Sequence, residues 1–120
     1  MNNLDALIDR YFAMWNETDV DRRRDLIART WTEDAAYVDP LMEGAGQAGI
    51  DAMVTGVQAQ FPAHKFRRTS EIDAHHDCVR FAWELAPEGR AALVRGVDFG
   101  VVVGERLRSI TGFLDQVPNR

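Results

Sequence analysis

Apolar residues recur every three or four positions through the first half of the chain, and this period predicts amphipathic helices. One helix covers the start of the sequence, and Thr18 or Asp19 caps a second helix that continues through Trp31. A glycine-rich loop at 43–49 leads into a third helix, which ends before Pro62. The apolar positions of the three helices are Leu4, Leu7, Ile8, Tyr11, Phe12, Trp15, Leu26, Ile27, Ile50, Met53, Val54, Val57 and Phe61.

After Pro62 the apolar residues alternate with polar ones, and a period of two predicts β-strands. Turn residues at 76–77, 87–89 and 104–105 divide this half of the chain into a meander. Because helices come first and strands last, we expect one α+β domain over residues 1–120. Its architecture is a cone of three N-terminal helices packed on a strongly curved antiparallel sheet. The predicted strands cover residues 35–39, 66–73, 79–85, 91–103 and 106–115.

The charge balance narrows the range of partners. The formal net charge is −5, whereas binding to a nucleic-acid backbone needs clustered cations. The one basic cluster, Arg22 to Arg24, is flanked by acids and is interpreted as a solvated helix face. Cys78 is the single cysteine, which fits a reducing compartment. No basic leader precedes an apolar segment and no apolar run reaches membrane-spanning length, so we expect a cytoplasmic protein that binds neither nucleic acid nor membranes.

Asp98 is a lone carboxylate inside the apolar segment 93–103. Burying an ionised carboxyl there is costly unless it is paired or used in chemistry. Alternation places Asp98 on one strand face together with Gly96 and Gly100, and glycines inside a strand mark a bulge or a close approach. Two interpretations stay open: a gap for a ligand beside the carboxylate, or a bulge that curves the sheet while Asp98 bonds a neighbouring backbone group or arginine.

Asp39 ends a second apolar run and shares a strand face with Tyr37. An Asp-Pro dipeptide also begins turns, and for Asp39 alone that interpretation is favoured. If Asp39 and Asp98 lie on the same concave face of one sheet, they form an acid pair in an apolar pocket, which is suited to proton transfer.

Two aromatic residues of the first helix, Tyr11 and Trp15, lie one turn apart on its apolar stripe. Such a stripe is most often plain core, but each ring carries a polar atom that needs a partner when buried. A phenol that points into a pocket is a hydrogen-bond donor for a ligand oxygen.

Two further motifs are rejected as sites. Residues 44–49 match the glycine pattern of dinucleotide-binding loops, but the alternating βαβ units and the downstream acid are missing, so these glycines are interpreted as a pocket rim. The sequence His75-His76-Asp77 lacks a third metal ligand at a usual spacing and is interpreted as a hairpin turn, so no metal site is predicted.

Three segments resemble a known family, the ketosteroid isomerases of the nuclear-transport-factor-2-like superfamily, which includes SnoaL-like polyketide cyclases. The segments are Asp9-Arg10-Tyr11, Tyr37-Val38-Asp39-Pro40 and Gly96-Val97-Asp98-Phe99. Residues 74–83 and 110–115 also resemble small bacterial SnoaL-like proteins of unassigned role.

The resemblance implies roles for three residues. By analogy with the isomerases, Asp39 is the base that moves a proton, while Tyr11 and a protonated Asp98 donate hydrogen bonds to the substrate oxyanion. By analogy with the cyclases, the residue at the position of Asp98 is itself the acid and base. The same fold also serves dehydratases, epoxide hydrolases and transport factors, so the fold alone does not fix the function.

We therefore expect a pocket between the first helix and the sheet that binds a small, largely apolar molecule with one or two oxygens. The first hypothesis is an isomerase, cyclase or dehydratase that transfers a proton next to a carbonyl without a cofactor. The second is a non-catalytic ligand-binding or accessory protein. The third is an interaction module, and we expect the outward face at 97–103 to form a homodimer interface. The predicted pocket residues are Tyr11, Trp15, Tyr37, Asp39, Phe81, Trp83 and Asp98.

Overall fold

Three helices and seven strands make up residues 3–118, the part of the chain that the computed structural model describes. Their order confirms the predicted α+β class, with the helices on one side of a curved sheet. None of the helices in this part of the chain is long and apolar enough to cross a membrane. The elements are α1 Asn3–Asn16, α2 Val20–Thr30, β1 Trp31–Val38, β2 Glu43–Ala45, α3 Gly46–Gln60, β3 His64–Arg68, β4 Asp73–His75, β5 Cys78–Pro87, β6 Val94–Val103 and β7 Arg106–Gln116.

The helix boundaries follow local capping. Asp19 caps α2, since its carboxylate accepts a hydrogen bond from the backbone N–H of Arg22 at 2.9 Å. The prediction that α2 continues through Trp31 is wrong: Trp31 has extended backbone angles and begins β1 directly. Its indole is fully buried, because an extended backbone also directs this side chain into the core. The prediction of a loop at 43–49 is also wrong, because β2 occupies Glu43–Ala45 and helix α3 begins at Gly46.

The strands form one sheet in the order β2-β1-β7-β6-β5-β3, and the short β4 pairs beside β3 along β5. The sheet is mostly antiparallel, but β1 runs parallel to β7, a pairing that the meander pattern does not predict. The predicted strand at 66–73 is two strands, because β3 and β4 pair with different parts of β5. The chain reverses at 76–77 as predicted, between β4 and β5.

The alternation along β6 sorts its side chains as predicted. Val94, Gly96, Asp98 and Gly100 are buried under the helices, whereas Phe99 on the outer face is 41% exposed. The register of β6 against β7 shifts next to Gly96, so a bulge does accompany this glycine. The inward face therefore brings Asp98 to the core side of the sheet.

Candidate active site

Asp98 lies at the centre of the concave face, and its side chain has two donors. The hydroxyl of Tyr11 donates to Oδ2 at 2.6 Å, and the indole N–H of Trp83 donates to Oδ1 at 3.0 Å. Asp98 is 2% exposed. Burial raises the pKa of Asp98 to about 7, with a smaller upward contribution from the charge of Asp39, although both donors act to lower it.

The glycines beside Asp98 make room for protein rather than for a ligand. A Cβ on Gly96 would lie 2.6 Å from the Trp83 ring and 2.4 Å from the carbonyl oxygen of Phe113. A Cβ on Gly100 would lie 2.8 Å from Ile110. The space predicted for a ligand beside the carboxylate is therefore filled by the Trp83 and Ile110 side chains and by the backbone of β7. The other interpretation, in which Asp98 bonds a backbone group or an arginine, is wrong about the partners: the donors are Tyr11 and Trp83.

Asp39 begins a turn and also lines a cavity, so the turn interpretation and the pocket interpretation are both correct. Its Oδ1 accepts hydrogen bonds from the backbone N–H groups of Leu41 at 2.8 Å and Met42 at 3.1 Å. Its Oδ2 accepts from the hydroxyl of Tyr37 at 2.7 Å. These three donors fix the carboxylate at the end of β1, where it is 9% exposed.

Gly112 on β7 is the point where the two acids meet. It pairs directly with Asp98 in the β6–β7 register. A Cβ at this position would lie 3.0 Å from Asp98 Oδ1, 3.2 Å from Asp39 Cβ and 3.3 Å from the Tyr37 hydroxyl. Sequence reasoning missed Gly112 as a site residue, and the only available signal was a glycine inside an otherwise regular strand.

The buried carboxyls also affect the pKa values of the two phenols, Tyr11 and Tyr37. Burial, the charge of Asp98 and the hydrogen bond to Asp39 raise the pKa of Tyr37 well above its ordinary value. Burial and the charge of Asp98 also raise the pKa of Tyr11. Both hydroxyls therefore keep their protons and act as hydrogen-bond donors near neutral pH.

A cavity of about 780 Å³ lies between α3 and the sheet. The expectation of a pocket under the first helix is wrong in this respect, because α1 packs directly on the sheet and contributes only Trp15 to the lining. The lining is mostly apolar, with Asp39 in it. The full set is Trp15, Tyr37, Asp39, Leu41, Met42, Glu43, Gly49, Ala52, Met53, Gly56, Val57, Gln60, Phe61, Phe66, Trp83, Leu85, Val94, Leu114, Val117 and Pro118.

An aromatic wall separates this cavity from Asp98. A void of only about 10 Å³ adjoins Asp98 and Tyr11, and four residues line both this void and the large cavity. We call these four residues the aromatic wall: Trp15, Tyr37, Phe66 and Trp83. Asp39 thus faces the cavity, whereas Asp98 and Tyr11 lie behind the wall.

Phe81 is the predicted pocket residue that lines neither space. It faces inward as the alternation predicts, but it is 1% exposed and its ring packs edge-on against Tyr11 and Phe12 of α1. The helix covers it, so the structure places Phe81 in the core behind the site.

A curved sheet with three helices around a mostly apolar cavity is the fold that solved nuclear-transport-factor-2-like proteins share. A sequence model of the SnoaL-like domain matches residues 8–110, and the chain belongs to that family. No curated protein matches the sequence.

Solved structures carry the same fold. A candidate isomerase of the SnoaL-like family from Agrobacterium tumefaciens is 37% identical, with a TM-score of 0.88 over 96% of this chain and 99% of that chain. A candidate ketosteroid isomerase from Kribbella flavida is 19% identical, with a TM-score of 0.71 over 98% and 82% of the two chains. A candidate polyketide cyclase from Sinorhizobium meliloti is 13% identical, with a TM-score of 0.71 over 93% and 99%. The last two similarities concern the fold alone.

Proposed function

We propose that this protein is an enzyme that transfers a proton at a carbon next to a carbonyl group, as isomerases, cyclases and dehydratases do. Its substrate is a small, mostly apolar molecule held in the cavity under α3. One observation carries the proposal: Asp39, Tyr37 and Asp98 converge around Gly112 at the wall of an apolar cavity. Two carboxyls in different environments are the usual basis for acid–base assignments.

In this mechanism Asp39 is the base, because it is the acid of the pair that lines the cavity. The backbone donors on Oδ1 and the Tyr37 hydroxyl on Oδ2 hold its carboxylate in one orientation. An ionised carboxylate has about four lone-pair sites, so a position remains for the substrate proton. Orientation of the base before the reaction lowers the entropic cost of proton transfer.

Asp98 and Tyr11 are the proposed donors to the oxygen on which negative charge develops. With a pKa of about 7, Asp98 retains its proton in a large fraction of molecules at neutral pH and then serves as an acid. Access requires a ligand to displace part of the aromatic wall, and Trp83 is the residue of that wall that donates a hydrogen bond to Asp98. In the cyclase-type version of the mechanism, the same opening lets Asp98 act as acid and base itself.

The direct test is exchange of solvent deuterium into a panel of small apolar ketones, followed by NMR. We expect the wild-type protein to accelerate exchange at the carbon next to the carbonyl. Asp39→Asn removes the base and is expected to slow the exchange by about 10²- to 10⁴-fold. Binding of the ketone, measured by calorimetry, should change much less than the rate.

Two further variants sharpen this test. Gly112→Ala keeps every acid but inserts a methyl group among Asp98, Asp39 and Tyr37, so we expect the exchange rate to fall with it. Asp21→Asn removes an exposed acid that lines neither space and should leave the rate unchanged. Equal exchange rates in wild type and Asp39→Asn would refute the assignment of the base.

A second candidate function, ligand binding without catalysis, is favoured by the shielding of Asp98. Its carboxyl is already bonded to Tyr11 and Trp83, as expected for a structural group. A ketone that binds in the cavity but exchanges no deuterium in the wild-type protein would support this function over the enzyme.

A further inference from the structure

The charged groups around the large cavity indicate which ligands it accepts. Among the described residues, the charged side chains in its lining are Asp39 and Glu43, and neither lysine, arginine nor histidine lines it. We propose that the cavity selects by charge: it takes neutral and cationic apolar molecules and rejects carboxylates, phosphates and other anions. This inference rests on the proposed function only in treating the cavity as the substrate site.

The hydrogen-bond donors next to Asp39 are already committed to acids. The Tyr37 hydroxyl and the backbone N–H groups of Leu41 and Met42 donate to Asp39. The indole N–H of Trp83 donates to Asp98. An anion in this part of the cavity would lose its hydration and gain neither a cation nor one of these donors, which is the costly case for a buried charge.

The carboxylates add direct repulsion. Asp39 lines the cavity, and Glu43 is an exposed acid in the same lining. Repulsion between like charges is strong at the reduced effective dielectric of a partly enclosed site. The carboxyl of Asp98 adds a second buried negative charge behind the aromatic wall when it is ionised.

The remaining lining suits uncharged or positive groups. Gln60 supplies a neutral amide for a carbonyl or hydroxyl group. The aromatic rings in the lining present faces of partial negative charge, which attract cations and not anions. The aromatic residues are Trp15, Tyr37, Phe61, Phe66 and Trp83.

The test uses three probes that share one bicyclic skeleton: 2-decalone, protonated 2-aminodecalin and decalin-2-carboxylate. Their dissociation constants are measured by calorimetry with the full chain at neutral pH and one ionic strength. We expect the ketone and the amine to bind and the carboxylate to bind at least about tenfold more weakly than the ketone. A carboxylate that binds as tightly as the ketone would overturn the proposal, and so would a failure of all three probes to bind.

Two variants and a control test whether the lining acids cause the difference in affinity between the carboxylate and the ketone. Glu43→Gln and Asp39→Asn should each narrow the gap between carboxylate and ketone. Glu71→Gln removes an exposed acid outside the cavity and should leave the gap unchanged. A gap that persists in full in the Asp39→Asn and Glu43→Gln double variant would also overturn the proposal. The outcome is independent of catalysis, because the charge preference is a binding measurement and the deuterium exchange is a rate.

Discussion

The protonation of Asp98 is decided by its surroundings more than by its chemistry. The carboxyl accepts two hydrogen bonds that favour the charged form, yet the loss of water around it outweighs them and raises its pKa to about 7. Asp39 also raises the pKa of Asp98, because its negative charge opposes a second negative charge nearby. A carboxyl in this state is an acid at neutral pH.

This pKa shift predicts a pH dependence of folding stability. The folded state holds the Asp98 proton up to a pKa of about 7, whereas an unfolded chain releases it near the ordinary carboxyl pKa of 3.8. The contribution of Asp98 to the free energy of unfolding therefore falls as pH rises through this window, by up to about 4 kcal/mol. We expect Asp98→Asn to remove this fall and to abolish deuterium exchange while the fold stays intact.

Urea unfolding of wild type, Asp98→Asn and Asp21→Asn across pH 4 to 8 measures the effect. The exposed Asp21 serves as the matched control, and its variant should keep the wild-type slope. An NMR titration of the Asp98 carboxyl that gives an ordinary, solvated value would contradict the prediction, as would full activity in Asp98→Asn.

At this scale the sequence predicted which way side chains face but not what they touch. Asp98 and Phe81 both face inward, as the period of two requires. Whether an inward residue reaches a cavity depends on what covers it, and α1 covers Phe81. Gly112 matters because of residues that are distant in the sequence, so nothing local reveals its role.

Helix α3 forms one side of the cavity, and a buried arginine joins it to α2. Arg23 is 3% exposed and donates to the Asp51 carboxylate at 2.7 Å and to the Thr55 hydroxyl at 2.9 Å. It also donates to the backbone oxygen of Glu17 at 3.1 Å. The interpretation of the basic cluster as a solvated helix face is therefore wrong for Arg23. The neighbouring Arg24 bonds the same Asp51 carboxylate at 3.2 Å, but its side chain is 66% exposed.

These two arginines make a matched pair of variants. Arg23→Ala leaves a partly buried carboxylate and several polar groups without their partner, so we expect it to lower the free energy of unfolding by about 3–5 kcal/mol. Arg24→Ala removes an exposed partner of the same acid and should cost about 1 kcal/mol or less. Chemical unfolding of both variants checks the difference, and equal losses would contradict the proposed role of burial.

The elements themselves were predictable where the local pattern was long. Helix α1 and strands β5 to β7 follow their periods closely. The errors fall where tertiary contacts override the pattern: Trp31 begins a strand, and the segment at 69–72 separates β3 from β4. The parallel pairing of β1 with β7 joins segments far apart in the sequence, so no local period predicts it.

The helices leave the outer face of the sheet uncovered. Phe99 is 41% exposed, Val103 49% and Phe113 58%, and Val97 pairs directly with Phe113 across β6 and β7. A contiguous apolar patch on a sheet face is typical of an interface between proteins. We propose that a second copy of the chain covers this face.

The prediction is a homodimer that one charge disrupts. We expect size-exclusion chromatography with light scattering to give a dimer for wild type and a monomer for Phe113→Asp, because a charge in the interface would lose its water without a partner. Val20→Asp changes an exposed valine on α2 and should leave the dimer intact. A wild-type monomer at neutral pH would refute this arrangement, and circular dichroism confirms that the variants are folded.

The sequence by itself determined the order of the three helices and the long strands and the inward face of Asp98, because both follow from local periods. It also indicated Asp39 and Tyr37 as neighbours, since they lie two residues apart on one strand. Only the tertiary structure decided that Tyr11 and Trp83 bind Asp98 and that the cavity lies under α3. It likewise decided that Asp39 faces the cavity, whereas the aromatic wall shields Asp98 from it. These contacts join residues such as Tyr11 and Asp98, which are 87 positions apart, and only the packing of the complete sheet brings them together.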